Sequence, residues 1–305
     1  MKKLFLVIMA LSLLLVTGCG KESLSSQEQG SGYTVVDARG KKITFASAPK
    51  RIVCLNYSAT DILTDLIPTE RIIATDMWAR EEDLSNCYEK LKGIPVCENN
   101  PEQIMKFNPD LVILTEGRAN ELADTLDSVG VKTCVLRQPK TIQEIPDYIK
   151  IVGEVADNKA AADSLAEKVA AYLKASAGGQ KIESVLLIHP NGIGQKGSMP
   201  ASICEACNIE NLAAKYDFPQ SSYLSKEQII AMNPQRIIVL DWSFGGQHKN
   251  AEIRKEEILN DPSYQTVSAV QTGKVVIVPM KYMHCSSQYV MKNLEELKRI
   301  MRTTL

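Results

Sequence analysis

Two stretches of this 305-residue chain match at an offset of 125 residues, from Glu102 to Glu227. The first runs Glu102-Gln103-Ile104, then Asn108-Pro109, then Leu111-Val112-Ile113-Leu114. The second runs Glu227-Gln228-Ile229, then Asn233-Pro234, then Arg236-Ile237-Ile238-Val239-Leu240. Each reads as a short helix that stops at Asn-Pro, because proline pushes the preceding residue out of the α region, with a buried strand directly after it. Each also opens on a capping signal: Asn100-x-x-Gln103 with Pro101 at the first helical position, and Ser225-x-x-Gln228. One supersecondary unit at matching points of two halves calls for two similar α/β lobes.

The rest of the pattern agrees. Residues 51–55, 71–75, 111–115 and 131–136 read as strands in the first half, and 184–188, 236–240 and 274–278 in the second. Alternation of these strands with helical stretches argues for parallel, doubly wound sheets. Residues 34–37 and 42–45 flank Arg39-Gly40 as an entry hairpin. Between the halves, residues 158–176 carry Ala162, Leu165, Ala166, Val169 and Leu173 at helical spacing and end before Gly178-Gly179. The expected fold is α/β: two doubly wound lobes joined by a single long helix, with a ligand cleft between them. The N-terminal lobe is placed at 33–157, the bridging helix at 158–176 and the C-terminal lobe at 177–305.

The start of the chain gives an address. Lys2 and Lys3 precede an apolar stretch from Leu4 to Val16, interrupted only by Ser12. That is too short for a membrane-spanning helix and has the flanks of a secretory signal. It ends in Val16-Thr17-Gly18-Cys19, which resembles a lipobox, the site where bacterial lipoproteins are cleaved before a lipidated cysteine. Residues 1–18 are therefore expected to be a signal peptide. Residues 19–32, rich in Ser, Gln and Gly, are expected to be a flexible tether anchored through Cys19. The globular part is then exported and held to the membrane by lipid. With 35 Lys+Arg against 36 Asp+Glu, the chain has no basic footprint for nucleic acid.

Tether, lobe, long helix and lobe together resemble the substrate-binding lipoprotein of an ABC importer, of the class serving ferric siderophores, haem and cobalamin. The resemblance is carried further by Asn260-Asp261-Pro262-Ser263-Tyr264-Gln265, which continues through Ala269-Val270 and Gly273-Lys274-Val275 to Val278-Pro279. Tyr264 stands where the family usually has Trp. Cys207-Asn208 stand where it usually has a glycine pair, before Glu210-Asn211-Leu212. The resemblance implies a monomeric, non-enzymatic receptor that hands its ligand to a permease dimer with a cytoplasmic ATPase. It also implies that Glu102 and Glu227 dock onto arginines of the two permease subunits. The local alternative is that each Glu merely favours its helix dipole, by about 0.3–1 kcal/mol. That effect explains one such residue, but not its recurrence in both lobes.

In open α/β sheets, ligands bind beyond the carboxyl ends of the strands. Reading the residues after each strand gives, from the first lobe, Asn56, Tyr57, Asp76, Trp78, Glu116, Arg118 and Arg137. The second lobe contributes His189, Asn191, Asp241, Trp242, Tyr282 and His284. Aromatic faces suit a macrocycle or aromatic chelate, and arginines suit carboxylate or catecholate oxygens. Tyr57, Trp78, Arg80, Arg118, Arg137, His189, Trp242, Tyr282 and His284 are the expected ligand contacts. Arg80, Arg118 and Arg137 make a ferric siderophore the first choice. Haem with His284 or Tyr57 as axial ligand, or a corrinoid against the tryptophans, is the alternative. The ligand is thus a metal chelate or tetrapyrrole, and no resident cofactor or metal is expected.

Other readings fare worse. A receptor for bare zinc or manganese needs a cluster of three or four His and carboxylate ligands, whereas His189, His248 and His284 are few and scattered. No Gly-x-Ser-x-Gly elbow or His-Glu-x-x-His motif supports an extracellular metal-dependent or serine enzyme. Gly192-x-Gly194-x-x-Gly197 matches a dinucleotide fingerprint in letters but lacks the strand–helix context, and reads as a cleft loop. Cys204-x-x-Cys207 is a lone pair, short of a zinc pattern. Cys54, Cys87, Cys97, Cys134 and Cys285 are dispersed. A Cys87–Cys97 loop is compatible with the spacing, but small buried hydrophobes are the preferred reading of these residues.

Overall fold

The computed structural model describes residues 32–303 except 118, 177, 189–193, 217–222 and 243–248. An antiparallel hairpin, β1 (Tyr33–Val36) and β2 (Lys42–Phe45), opens it and pairs Tyr33 with Phe45. The first lobe then lays down β3 (Ile52–Leu55), β4 (Ile72–Thr75), β5 (Leu111–Thr115) and β6 (Thr133–Leu136) as a parallel sheet in the order β4-β3-β5-β6. The second lobe repeats this with β7 (Ser184–Ile188), β8 (Glu210–Asn211), β9 (Arg236–Asp241) and β10 (Val275–Pro279), in the order β8-β7-β9-β10. Both lobes therefore run second, first, third, fourth. The duplication visible in two short segments extends to the whole topology. Residues of β3 and β9 are buried throughout, as expected of strands covered on both faces.

The matched helices are α2 (Pro101–Lys106) and α7 (Lys226–Met232), following α1 (Tyr57–Leu66) and the later helices α3 (Ala119–Ser128), α4 (Ile145–Val155), α5 (Lys159–Ser176) and α6 (Met199–Ala206). Asn100 caps α2 by accepting from Gln103 N at 3.1 Å. In α7 the full reciprocal box forms between Ser225 and Gln228. In α2 only half of it forms, because Gln103 turns to Glu98 instead. Both helices leave through an asparagine of positive φ, 47° at Asn108 and 44° at Asn233. Asparagine tolerates this left-handed geometry, and the proline after it prevents the helix from resuming.

The bridging helix is α5. Ala162, Ala166, Val169 and Leu173 are buried along it, Leu165 is half-buried against the same core, and Gly178 and Gly179 follow with φ of 88° and 146°. At 1.5 Å per residue its 18 residues make a rod of about 27 Å. It packs closely on α4: a Cβ built at Gly153 would stand 2.0 Å from Ala162 Cβ, so only glycine permits this approach. The last helices are α8 (Lys249–Asn260), α9 (Ser268–Gln271) and α10 (Val290–Thr303). One apolar cluster runs unbroken from Ile52 and Ile113 of the first sheet, through Ala162, Ala166 and Val169, to Leu187 and Ile238 of the second sheet and Leu294 of α10. Among the described residues no helix is long and apolar enough to cross a membrane.

Sequence expectations for strand starts run one or two residues early at Arg51, Arg71 and Val131. The arginines are tied to carbonyls outside the sheet, Arg51 Nε to Asn108 O at 2.9 Å and Arg71 Nη2 to Ala156 O at 3.0 Å.

Candidate ligand-binding site

In each lobe the strand order reverses between the first and third strands, so the loops leaving their carboxyl ends part and open a crevice. After β3 come Asn56 and Tyr57, and after β9 comes Trp242. A cavity of about 340 Å³ lies at this level between the lobes, within the range of small-molecule sites. Its first-lobe wall is Leu55, Asn56, Tyr57, Asp76, Trp78, Leu84, Asn99, Thr115, Ala119 and Gln138. Its second-lobe wall is Trp242, Met280, Lys281 and His284.

The two tryptophans, one per lobe, meet across the cavity with ring centroids 5.3 Å apart and planes tilted by 42°. Trp78 is set by Asp76, whose Oδ1 accepts from Ala79 N, within the 3₁₀ turn Trp78–Arg80, at 2.9 Å. On the opposite wall the turn Met280–Tyr282 is fastened to the first lobe. Lys281 N donates to Asp83 O at 3.1 Å, Lys281 Nζ to Glu82 O at 2.7 Å, and Tyr57 Oη to His284 O at 3.3 Å. At the inner end, Asn56 Oδ1 accepts from Ala59 N (3.0 Å), Tyr148 Oη (3.2 Å) and Gln138 Nε2 (3.4 Å), which fixes the direction of its amide.

Burial dominates the electrostatics. It pushes the Asp76 carboxyl up to about 7, against backbone hydrogen bonds from Ala79 and Trp78 that favour the charged form. It also raises the Tyr57 phenol well above its ordinary range, which disfavours a phenolate at that position.

Of the expected ligand contacts, Tyr57, Trp78, Trp242 and His284 come together in this wall. Three others do not. Arg80 is half-buried and Nη1 donates to Ile94 O, a residue that is not part of the cavity wall. With three residues per 3₁₀ turn, Trp78 and Arg80 cannot face the same way. Arg137 is exposed and holds Glu116 through two bonds of 2.8 and 3.1 Å, which lowers the Glu116 carboxyl below its ordinary range. Tyr282 is half-buried against the core rather than in the cavity wall. Arg118, His189, Asn191 and His248, like Cys19, lie outside the described residues. Gln138 takes the place expected of Arg137, since neighbouring residues of extended chain face opposite ways. Lys281, Asn99 and Leu84 were not anticipated; Asn99 precedes the cap of α2, and Leu84 sits in a loop that no periodicity marks.

Glu102 and Glu227 are exposed at the second positions of α2 and α7. The Ser225 hydroxyl, with the backbone, holds the Glu227 carboxyl below its ordinary range. The described part of the glycine-rich segment faces elsewhere: Gly197 borders a separate depression with Lys181, Lys196 and Lys215. Seven cysteines, from Cys54 to Cys285, are free and buried, Cys87 and Cys97 included. Burial pushes the thiols of Cys54, Cys134, Cys207 and Cys285 up to about 12. Among the described residues no group of three or more His, Cys, Asp or Glu side chains is arranged to hold a metal ion.

Comparison with known proteins follows the same lines. The uncharacterized ABC transporter substrate-binding lipoprotein YvrC of Bacillus subtilis is 22% identical, over 94% of this chain and 93% of its own. A cobalamin-binding protein of Halobacterium salinarum is 25% identical over 67% of this chain, which spans 58% of that relative. The periplasmic haem-binding protein RhuT of Roseiflexus, solved in apo form, superposes with a TM-score of 0.70 at 20% identity, covering 84% of this chain and 98% of that one. The family model described as periplasmic binding protein matches residues 52–282, both sheets and the helix between them. By its sequence and by its two-lobed architecture, this chain belongs to the periplasmic binding protein family.

Proposed function

We propose that the chain is the substrate-binding lipoprotein of an ABC importer and that its ligand is a corrinoid held between the lobes. The observation that carries this reading is the Trp78–Trp242 pair, one indole from each lobe across a cavity whose other described polar groups are mostly uncharged. Indole faces suit the edge of a macrocycle, and Asn56, Asn99, Thr115 and Gln138 suit a fringe of neutral amides. With Arg80 and Arg137 engaged elsewhere, the argument for a ferric siderophore loses two of its three arginines. The name of the Halobacterium salinarum relative supports the same choice. Haem is the second reading, favoured by His284 in the wall. In this scheme Cys19 carries the lipid anchor, and the permease dimer, driven by its ATPase, takes the ligand at the cleft.

Titration of residues 19–305, with Cys19 replaced by Ser, against cobalamin, haem and a panel of ferric siderophores tests the reading. Tightest binding to cobalamin is the expected result. Binding of siderophores alone would overturn it.

A further inference from the structure

The wall of the cavity contains a carboxyl that a receptor for anionic chelates would be better without. Asp76 lies at the carboxyl end of β4, half-buried beside Trp78, with one oxygen committed to Ala79 N. The other titratable groups of the described wall are Tyr57, Lys281 and His284. Tyr57 donates to a backbone carbonyl, and the Lys281 ammonium is drawn onto Glu82 O at the rim. The charge of Asp61 further opposes ionisation of Asp76. An anionic ligand entering here meets a half-buried carboxylate, and bringing like charges together in a partly desolvated site is costly unless one is neutralised.

We propose that Asp76 sets the charge the cavity accepts, admitting neutral or cationic chelates and rejecting polyanionic ones. The raised carboxyl of Asp76 fits the role: when protonated it becomes a hydrogen-bond donor to a neutral carbonyl of the ligand, and when ionised it repels carboxylates and catecholates. The inference rests on assigning this cavity as the ligand site, but not on the corrinoid choice, because charge discrimination applies to any chelate that enters.

Two pairs of probes at pH 8 test it, each matching a neutral ligand with an anionic one: cobalamin with haem, and a ferric trihydroxamate with a ferric tricatecholate. In whichever pair binds, Asp76→Asn should improve the anionic member relative to the neutral one by about tenfold, the effect of one removed charge at close range. Asparagine retains an acceptor for Ala79 N, so the turn that holds Trp78 survives. As a converse independent of that variant's folding, Asn99→Asp adds a charge elsewhere on the wall and should weaken the anionic member selectively. Affinity ratios that stay the same in both variants would overturn the proposal while leaving the receptor reading intact. No binding of any probe would overturn both.

Discussion

Asp61 shows how much one buried side chain can govern at the junction of the lobes. It projects from α1, and its Oδ2 accepts from Ser287 Oγ at 2.9 Å, while Gln288 Nε2 reaches its backbone carbonyl at 2.8 Å. Burial raises its carboxyl to about 6, against hydrogen bonds from Cys87, Ser287 and Asn86 that lower it. The folded protein thus keeps a proton that the unfolded chain has already released. Stability is fully present below the ordinary carboxylate range, declines as pH rises from about 4 to about 6, and stays lower beyond. Asp76 adds the same sign up to about 7. Asp61→Asn keeps an acceptor for Ser287 and removes the charge. Its denaturation midpoint should match the parent at pH 4 and exceed it at pH 7.5, by about 3 kcal/mol in unfolding free energy. Equal midpoints at both pH values would show that the group ionises freely in the fold. At this scale the sequence was only partly informative. Trp78, Trp242 and His284 could be placed because they follow strand ends, but the direction of Arg80 around its turn and of Arg137 after β6 depends on partners, Ile94 O and Glu116, that no local pattern specifies.

Among the elements, the short helices α2 and α7 carry the most information for their length. Each carries an exposed Glu at its second position. Asn99, just before α2, is itself in the cavity wall. A partner that touches Glu102 would therefore sit beside the cleft. Glu102→Ala combined with Glu227→Ala should leave ligand affinity unchanged in titration and abolish uptake in cells; normal uptake by the double variant would rule out the docking role. These helices were legible because their signals are local: a cap, a periodic apolar residue and an Asn-Pro stop. The two-residue strand β8 was not, since it exists only by pairing with Ser184 and Val185 of β7. The Gly153–Ala162 contact of α4 with α5 was equally invisible, because a glycine reserved for close approach looks in sequence like any other helical glycine.

At the scale of the whole molecule, the two lobes share one apolar core through α5 and α10, and the wall near His284 is bound to the first lobe at three points. Wide parting of the lobes would expose that core and break those three bonds, so lobe motion is expected to be small. Small-angle scattering should show a radius of gyration that changes by less than about 1 Å on ligand addition; a change of several ångströms would contradict a shared core. The same arrangement gives the protein an optical property. The chain has two tryptophans, and both lie in the cavity wall, tilted and in contact. Two indoles so placed share their electronic excitation, which produces a paired positive and negative band in circular dichroism. A ligand that slips between the rings must break that coupling, so the loss of the paired band would report how the cavity is entered.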